Sequence, residues 1–273
     1  MTEPDHYLLG RGGAEEARLE HQSAALSAES DAQFEKIGIM PGERVVDLGC
    51  GPGDVLGLLS KRVGPTGLVL GIERDAHFAS LARRYAAGHA LSQMEVRTGD
   101  VYDTGLPRAS FDGAHMRLVL VNVPEPERIV REMVSLVRPG GWVASFEADL
   151  LSLICDPPSP EWSRLLDVYK AYSAAQGVDL CIGRRTHRLF RAAGVEDIRV
   201  DAIVRVYPPG DQGRMILADF INNVCEKLIA EGFIGRMDLQ KDMAALERHL
   251  SDPEVLVTSH MFFLLSGRVP QAG

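Results

Sequence analysis

The sequence predicts a doubly wound α/β protein with a mostly parallel sheet and a helical cap. Three observations carry this. Strands and helices alternate from residue 44 to residue 146, a glycine-rich turn follows the first strand directly, and the alternation loosens after residue 150. The alternation opens with residues 13 to 36, rich in Ala, Glu and Arg, which place Leu19 and Leu26 on one helical face. After the Pro41-Gly42 turn, Arg44 to Leu48 reads as a short buried strand. Gly49-Cys50-Gly51-Pro52-Gly53 follows, and a helix is expected from Asp54 as N-cap through Val63.

Further on, Leu68 to Ile72 is the second strand, Ala76 to Ala87 a helix, and Met94 to Thr98 the third strand. Phe111 to Leu118 is the fourth strand and Glu125 to Val137 a helix stopped by Arg138-Pro139-Gly140-Gly141. Trp142 to Phe146 is the fifth strand. Beyond the proline-rich linker at 156–160, helices are expected over 161–175 and 184–193, and strands over 198–206 and 260–269. The segment 211–250 reads as mostly helical and stands outside the strand–helix rhythm. The implied organisation is a lid at 1–36, a core at 37–150, and a second half of the core at 151–273. Cap insertions fall near 151–180 and 208–256 of that second half.

Composition narrows the function. The net charge of -9, from 29 basic and 38 acidic residues, runs against a phosphate-tracking surface, so no nucleic-acid partner is expected. Cys50, Cys155, Cys181 and Cys225 stand far apart without ligand-spaced histidines, which predicts neither a zinc site nor a disulfide framework. No metal is expected. The first residues carry no basic, apolar leader, and no run approaches the ~20 apolar residues of a membrane span. The expectation is a cytoplasmic protein without a membrane partner. Assembly into a homodimer is left open.

The chemistry concentrates in Val45-Val46-Asp47-Leu48-Gly49-Cys50-Gly51-Pro52-Gly53-Asp54. Alternate glycines let the chain turn sharply with no Cβ to block a ligand, and the following helix N-terminus suits a carboxylate. Asp47 is placed to balance a nearby ammonium or sulfonium charge. The register separates this loop from a dinucleotide fingerprint. G-x-G-x-x-G from Gly49 requires glycine where Asp54 stands, and from Gly51 it requires glycine where Leu56 stands. The second strand ends at Glu73-Arg74-Asp75, where an acidic side chain can accept hydrogen bonds from both hydroxyls of a ribose.

G-C-G-P-G resembles motif I of the class I S-adenosylmethionine-dependent methyltransferases. The acidic Glu73, Thr98-Gly99-Asp100-Val101, Phe111 to Arg117 and Leu136 to Gly141 resemble the later motifs in the same order. Within that family the chain is most similar to the ubiquinone/menaquinone-methyltransferase-like branch, which acts largely on small molecules. The resemblance implies a seven-stranded, Rossmann-like methyltransferase sheet and S-adenosyl-L-methionine as cofactor. It implies a cofactor site formed by Asp47, Gly49, Cys50, Gly51, Gly53, Glu73, Arg74, Gly99, Asp100, Val101, Met116 and Arg117. Asp100 would meet the adenine amino group, and Met116 and Arg117 the methionine part. The segments around Tyr7 and Gln22 resemble an N-terminal helix that folds over the cofactor. Relatives often carry His in a Leu-x-His element after strand four, where this chain has Leu120-Val121-Asn122.

The activity implied is transfer of the sulfonium methyl to a small organic acceptor, by in-line displacement. The alternative is a cofactor-binding protein with a non-methylating or regulatory role. A general base is required only if the acceptor must lose a proton. His21, His115, Glu147, Asp149 and His187 are the candidates. Tyr169, Tyr172 and Phe220 are candidates for gripping an apolar acceptor, although apolar residues at helical spacing equally serve a core.

Overall fold

The computed structural model describes residues 13–271, with side chains from Ala25 onward. Its elements are α1 (Gly13–Ile37), β1 (Arg44–Leu48), α2 (Asp54–Val63), β2 (Leu68–Glu73), α3 (Ala76–Gly88), β3 (Met94–Thr98), β4 (Phe111–Arg117), α4 (Pro126–Leu136) and β5 (Val137–Asp149). They continue as β6 (Cys155–Asp156), α5 (Pro160–Ala175), α6 (Ile182–Ala192), β7 (Glu196–Ile203), β8 (Val206–Tyr207), α7 (Ile216–Ala230), α8 (Arg236–Leu250), β9 (Leu256–Thr258) and β10 (Met261–Arg268).

Seven strands form the main sheet in the order β3-β2-β1-β4-β5-β10-β7, and β10 alone runs antiparallel to its neighbours. The chain leaves β1 toward one edge through β2 and β3, then returns to β1's other side at β4. That reversal is the switch point at which doubly wound sheets open a crevice for ligands. Burial on both faces explains why β1 reads as a continuous apolar run: Val45, Val46 and Leu48 are all buried. On α2, Val55, Leu56, Leu59 and Val63 make the stripe that packs on β1 and β2.

Two glycines set how closely layers approach. A Cβ on Gly113 in β4 would stand 2.0 Å from the Trp142 ring of β5, so only glycine lets that indole lie flat on the sheet. The indole nitrogen then donates to Glu43 at 2.9 Å. On α6, a Cβ at Gly183 would meet the Ala148 carbonyl carbon at 2.8 Å, so this helix lies against the β5 backbone.

The cap consists of α5, α7 and α8 with a small sheet in the order β6-β9-β8. Arg164 joins α5 to α8 through a forked pair with Asp242, at 3.0 and 2.8 Å. The buried Arg214 guanidinium donates to the carbonyls of Tyr207, Leu250, Asp252 and Val255, at 2.6 to 3.1 Å. Four acceptors satisfy a charge that would otherwise be very costly to bury. This one side chain ties β8, the end of α8 and the approach to β9 together.

Three details differ from the expectation. Gly53 takes the N-cap position of α2 in a left-handed conformation, φ 99°, and Asp54 is the first helical residue. The tight loop requires positive φ there, which Asp tolerates poorly and glycine freely. The stretch Arg138 to Gly141 belongs to β5, which begins at Val137 opposite Phe111. Segment 151–180 contains one short strand, β6, and two more, β8 and β9, bound segment 208–256 at its ends. Strands of two and three residues carry no alternation to be read.

Candidate functional site

At the carboxyl end of β1 the chain turns on Gly49, Gly51 and Gly53, all at positive φ. The Gly49 and Cys50 amides donate to the Ile72 carbonyl at 2.8 and 3.1 Å, which fastens the turn to the end of β2. A Cβ on Gly53 would lie 3.0 Å from the Ala82 Cα, whereas one on Gly51 would meet nothing within 4 Å. Gly53 is therefore packed against α3, and Gly51 faces open space. No side chain caps α2, so its first N–H groups stay available to an anion.

Glu73 ends β2 beside this turn. One carboxylate oxygen accepts the Gly51 amide and the other the Asp75 amide, both at 2.9 Å. Burial pushes its carboxyl up, against the pull of those two donors. Each oxygen keeps a further lone pair, so the group can still take two hydroxyls while holding the loop. The Gly99 amide donates to the Glu73 carbonyl at 3.0 Å, which sets the end of β3 beside it. Asp100 is exposed and accepts the Tyr102 amide at 2.9 Å; Val101 is half-buried, and Arg74 is exposed.

Four residues expected around the ligand point elsewhere. Asp47 is buried and accepts from His115 Nδ1 at 2.7 Å, with Phe34 of α1 edge-on to the imidazole at 5.0 Å. The carboxylate is thus engaged beneath α1, because β1 and β4 are register neighbours with Asp47 opposite His115. For the same reason His115 is sealed off as a base. The Met116 side chain is fully buried in the core, since successive strand residues alternate faces. The Cys50 thiol packs over Gly71, where a Cβ would stand 2.6 Å from its sulfur. Arg117 bonds Asp54 at 2.6 Å and Ser30 at 3.2 Å, clasping β4 to α2 and α1.

Among the base candidates, Glu147 is fully buried and accepts the amides of Val119, Leu120 and Val121 at 3.0, 3.0 and 3.4 Å. Burial pushes its carboxyl up to about 8 while these donors pull it down. With its oxygens turned to the backbone, Glu147 holds the loop after β4, and as a base for an acceptor it is misplaced. Asp149 is buried and paired with Arg184 of α6 through one carboxylate oxygen. His187 is half-buried within α6. Asn122, at the position where relatives carry His, donates to the Leu118 carbonyl at 2.8 Å. Tyr7 lies outside the described residues, as do the side chains of His21 and Gln22.

Of the cap aromatics, Tyr169 and Phe220 come together, stacked at 5.7 Å with planes 10° apart. Tyr172 instead packs edge-on against Phe233 at 5.6 Å and is fully buried, so it belongs to the packing of the cap. His260, absent from the residues expected at the site, has its ring centroid 6.0 Å from that of Phe220 and 4.2 Å from that of Phe262. The available signal was an ionisable residue heading an otherwise apolar strand, His260-Met261-Phe262-Phe263. Among the described residues no group of three His, Cys, Asp or Glu side chains is arranged to hold a metal. No helix among them is long and apolar enough to cross a membrane.

The architecture and the loop at its switch point define a class, and similarity to known proteins agrees. Residues 46–145 match the family model described as a methyltransferase domain. An uncharacterized 37.1 kDa protein from a transposon of Streptomyces fradiae is 32% identical over 225 residues, 82% of this chain and 63% of that protein. Demethylmenaquinone methyltransferase of Oceanobacillus iheyensis is 31% identical over 121 residues, 44% of this chain and 51% of that enzyme. The chain thus spans between half and two thirds of the length of these relatives. In fold it is similar to a putative methyltransferase from Bacillus halodurans, with a TM-score of 0.62 at 14% identity, covering 88% of this chain and 99% of that one. The core of this chain is a class I S-adenosylmethionine-dependent methyltransferase domain. Its sequence is similar to those of the quinone methyltransferases.

Proposed function

We propose that the protein transfers the methyl group of S-adenosylmethionine to a small organic acceptor held between the strand ends and the cap. The observation that carries this is the pairing of an open Gly51 turn with Glu73. That carboxylate both positions the loop amide and keeps lone pairs free beside the uncapped start of α2. The donor set fits the cofactor. Glu73 would take the ribose hydroxyls, Asp100 the adenine edge, and the amides at the head of α2 the amino-acid carboxylate.

The sulfonium methyl arrives activated, so the bound cofactor supplies the electrophile. What remains for the protein is to align the acceptor's lone pair and to exclude water. Glu147 serves alignment by fixing residues 119–121 at the mouth of the crevice. Tyr169 and Phe220 supply an apolar wall in the cap. The curated relative named above acts on demethylmenaquinone, and a planar aromatic acceptor suits the stacked pair. The reading takes the protein to be cytoplasmic, with the acceptor as its partner and no nucleic acid.

Calorimetric titration with S-adenosylmethionine, S-adenosylhomocysteine and NAD tests the site. Both sulfur compounds should bind with similar contacts and NAD should not. Mass spectrometry of a phenol and quinol panel should then find a gain of one methyl. NAD binding without S-adenosylmethionine binding overturns the assignment. Cofactor binding with no methylated product across acceptor classes favours the non-methylating alternative.

A further inference from the structure

The cap covers a polar side chain that nothing in the fold uses. His260 directly precedes β10, at the end of the sheet where β5 finishes, since Met261 lies opposite Asp149. It is buried, and among the described residues neither ring nitrogen has a hydrogen-bond partner. Phe262 meets it edge-on, and Phe220 lies on another side with Tyr169 stacked beyond. One turn after Phe220, on the same face of α7, Asn223 buries an amide nitrogen that is likewise unpartnered. Buried polar atoms in native proteins nearly always have partners, so two such groups on one aromatic wall call for an explanation.

Chemistry supplies one. Burial holds the His260 imidazole down at about 3, so at neutral pH the ring is uncharged, with one N–H and one bare lone pair. Asn223 offers N–H groups alone at its buried nitrogen. An acceptor of hydrogen bonds and a donor therefore stand ready beside a flat apolar surface. The ligand complementary to all three is a planar molecule with a hydroxyl to give and a second oxygen to receive.

We propose that His260 takes the hydroxyl proton of the methyl acceptor and that Asn223 donates to a second oxygen of the same planar molecule. This rests on the methyl-transfer reading above. In the step, the acceptor's O–H bond breaks and its proton goes to the bare nitrogen of His260. The oxygen's electron pair forms the new bond to the methyl carbon, and the carbon–sulfur pair stays on sulfur as a neutral thioether. One positive charge enters as a sulfonium and leaves as an imidazolium. Because burial disfavours that imidazolium, the ring returns its proton to water as product departs.

The test uses the full chain and two fluorescent probes, 2,3-dihydroxynaphthalene and 2,3-dimethoxynaphthalene, the latter lacking hydroxyl donors. Without cofactor, the wild type should bind the diol about tenfold more tightly than the diether. His260→Phe, which continues the Phe220–Phe262 surface, should erase that preference, and Asn223→Leu should weaken binding of both probes. With cofactor, His260→Phe should lower methyl transfer to the diol by about 100-fold or more while S-adenosylmethionine affinity stays within about twofold. If His260→Phe fails to fold by circular dichroism, His260→Leu, which also lacks an acceptor, carries the same comparison. A wild type indifferent to the hydroxyls, or a His260→Phe variant that keeps the full preference, overturns the proposal. Absence of methyl transfer with the probe preference intact strikes at the functional reading instead, and leaves the assignment of His260 standing.

Discussion

The glycine loop and the cap treat buried polarity in opposite ways. Beside the loop the backbone satisfies two carboxylates. Glu73 takes the amides of Gly51 and Asp75, and Glu147 takes those of residues 119–121. In the cap, Arg214 is equally well served by four carbonyls, yet His260 and Asn223, beside the stacked Tyr169–Phe220 pair, are not. A site whose ligand has one fixed shape can be held by the protein's own amides, with lone pairs to spare. A site that selects an acceptor is completed by the acceptor. The difference marks where binding is built in and where specificity is left to the ligand.

The largest effect should come from breaking the cap's own frame. Arg214→Met leaves four carbonyls without their donor, those of Leu250 and Val255 buried. At ~1–3 kcal/mol per unsatisfied group, with partial relaxation, the loss should be about 3–6 kcal/mol. Denaturant unfolding measures it, and S-adenosylmethionine affinity in the surviving folded protein should change little. An equal collapse of cofactor binding would show that loop and cap are one cooperative unit and would dissolve the contrast.

The next effect falls on the other side. Glu73→Ala should cost roughly 2–4 kcal/mol of cofactor affinity, at ~1.5–3 per charge-assisted bond with partial replacement by water. Calorimetry reads this directly. Because Glu73 also holds the Gly51 amide, part of the loss should appear as slower association of the cofactor with a loosened loop. Unchanged affinity would place the ribose anchor elsewhere.

The most diagnostic effect concerns Glu147, whose carboxyl holds the loop after β4. In the folded chain its carboxyl is raised to about 8, above the value of 4.5. A raised folded-state value means its contribution to stability is fully present below about pH 4.5 and is lost as pH rises through about 8. Melting temperature should therefore decline across that window, and Glu147→Gln should flatten this part of the decline. A pH profile identical in the variant would mean that the three amides keep the carboxylate ionised throughout.

The legibility of the chain follows the same boundary. The strands around the switch point were readable because they are buried on both faces, as with Val45 to Leu48, which ends at Gly49. Glu73 was readable as well, since its place at the end of β2 follows from the strand's length. Asp47 misled. Its type and position beside the turn fit a counter-charge, but only pairing of β1 with β4 brings His115 opposite and occupies it. For Met116 the motif names a position, while the pleat decides which face its side chain takes.

By itself the sequence determined the fold class, the switch-point loop, the family of its core and the acidic residue beside the loop. These rest on local signals, namely periodicity, turn residues and spacing along one strand. Tertiary structure alone decided which polar groups are engaged and which are left wanting. Glu147 is occupied because a loop 26 residues upstream folds back onto it. His260 stands against Phe220 because the antiparallel β10 returns its first residues to the end of β5, beneath α7. Hydrogen-bond satisfaction is a property of partners distant in the chain, and no local pattern carries it.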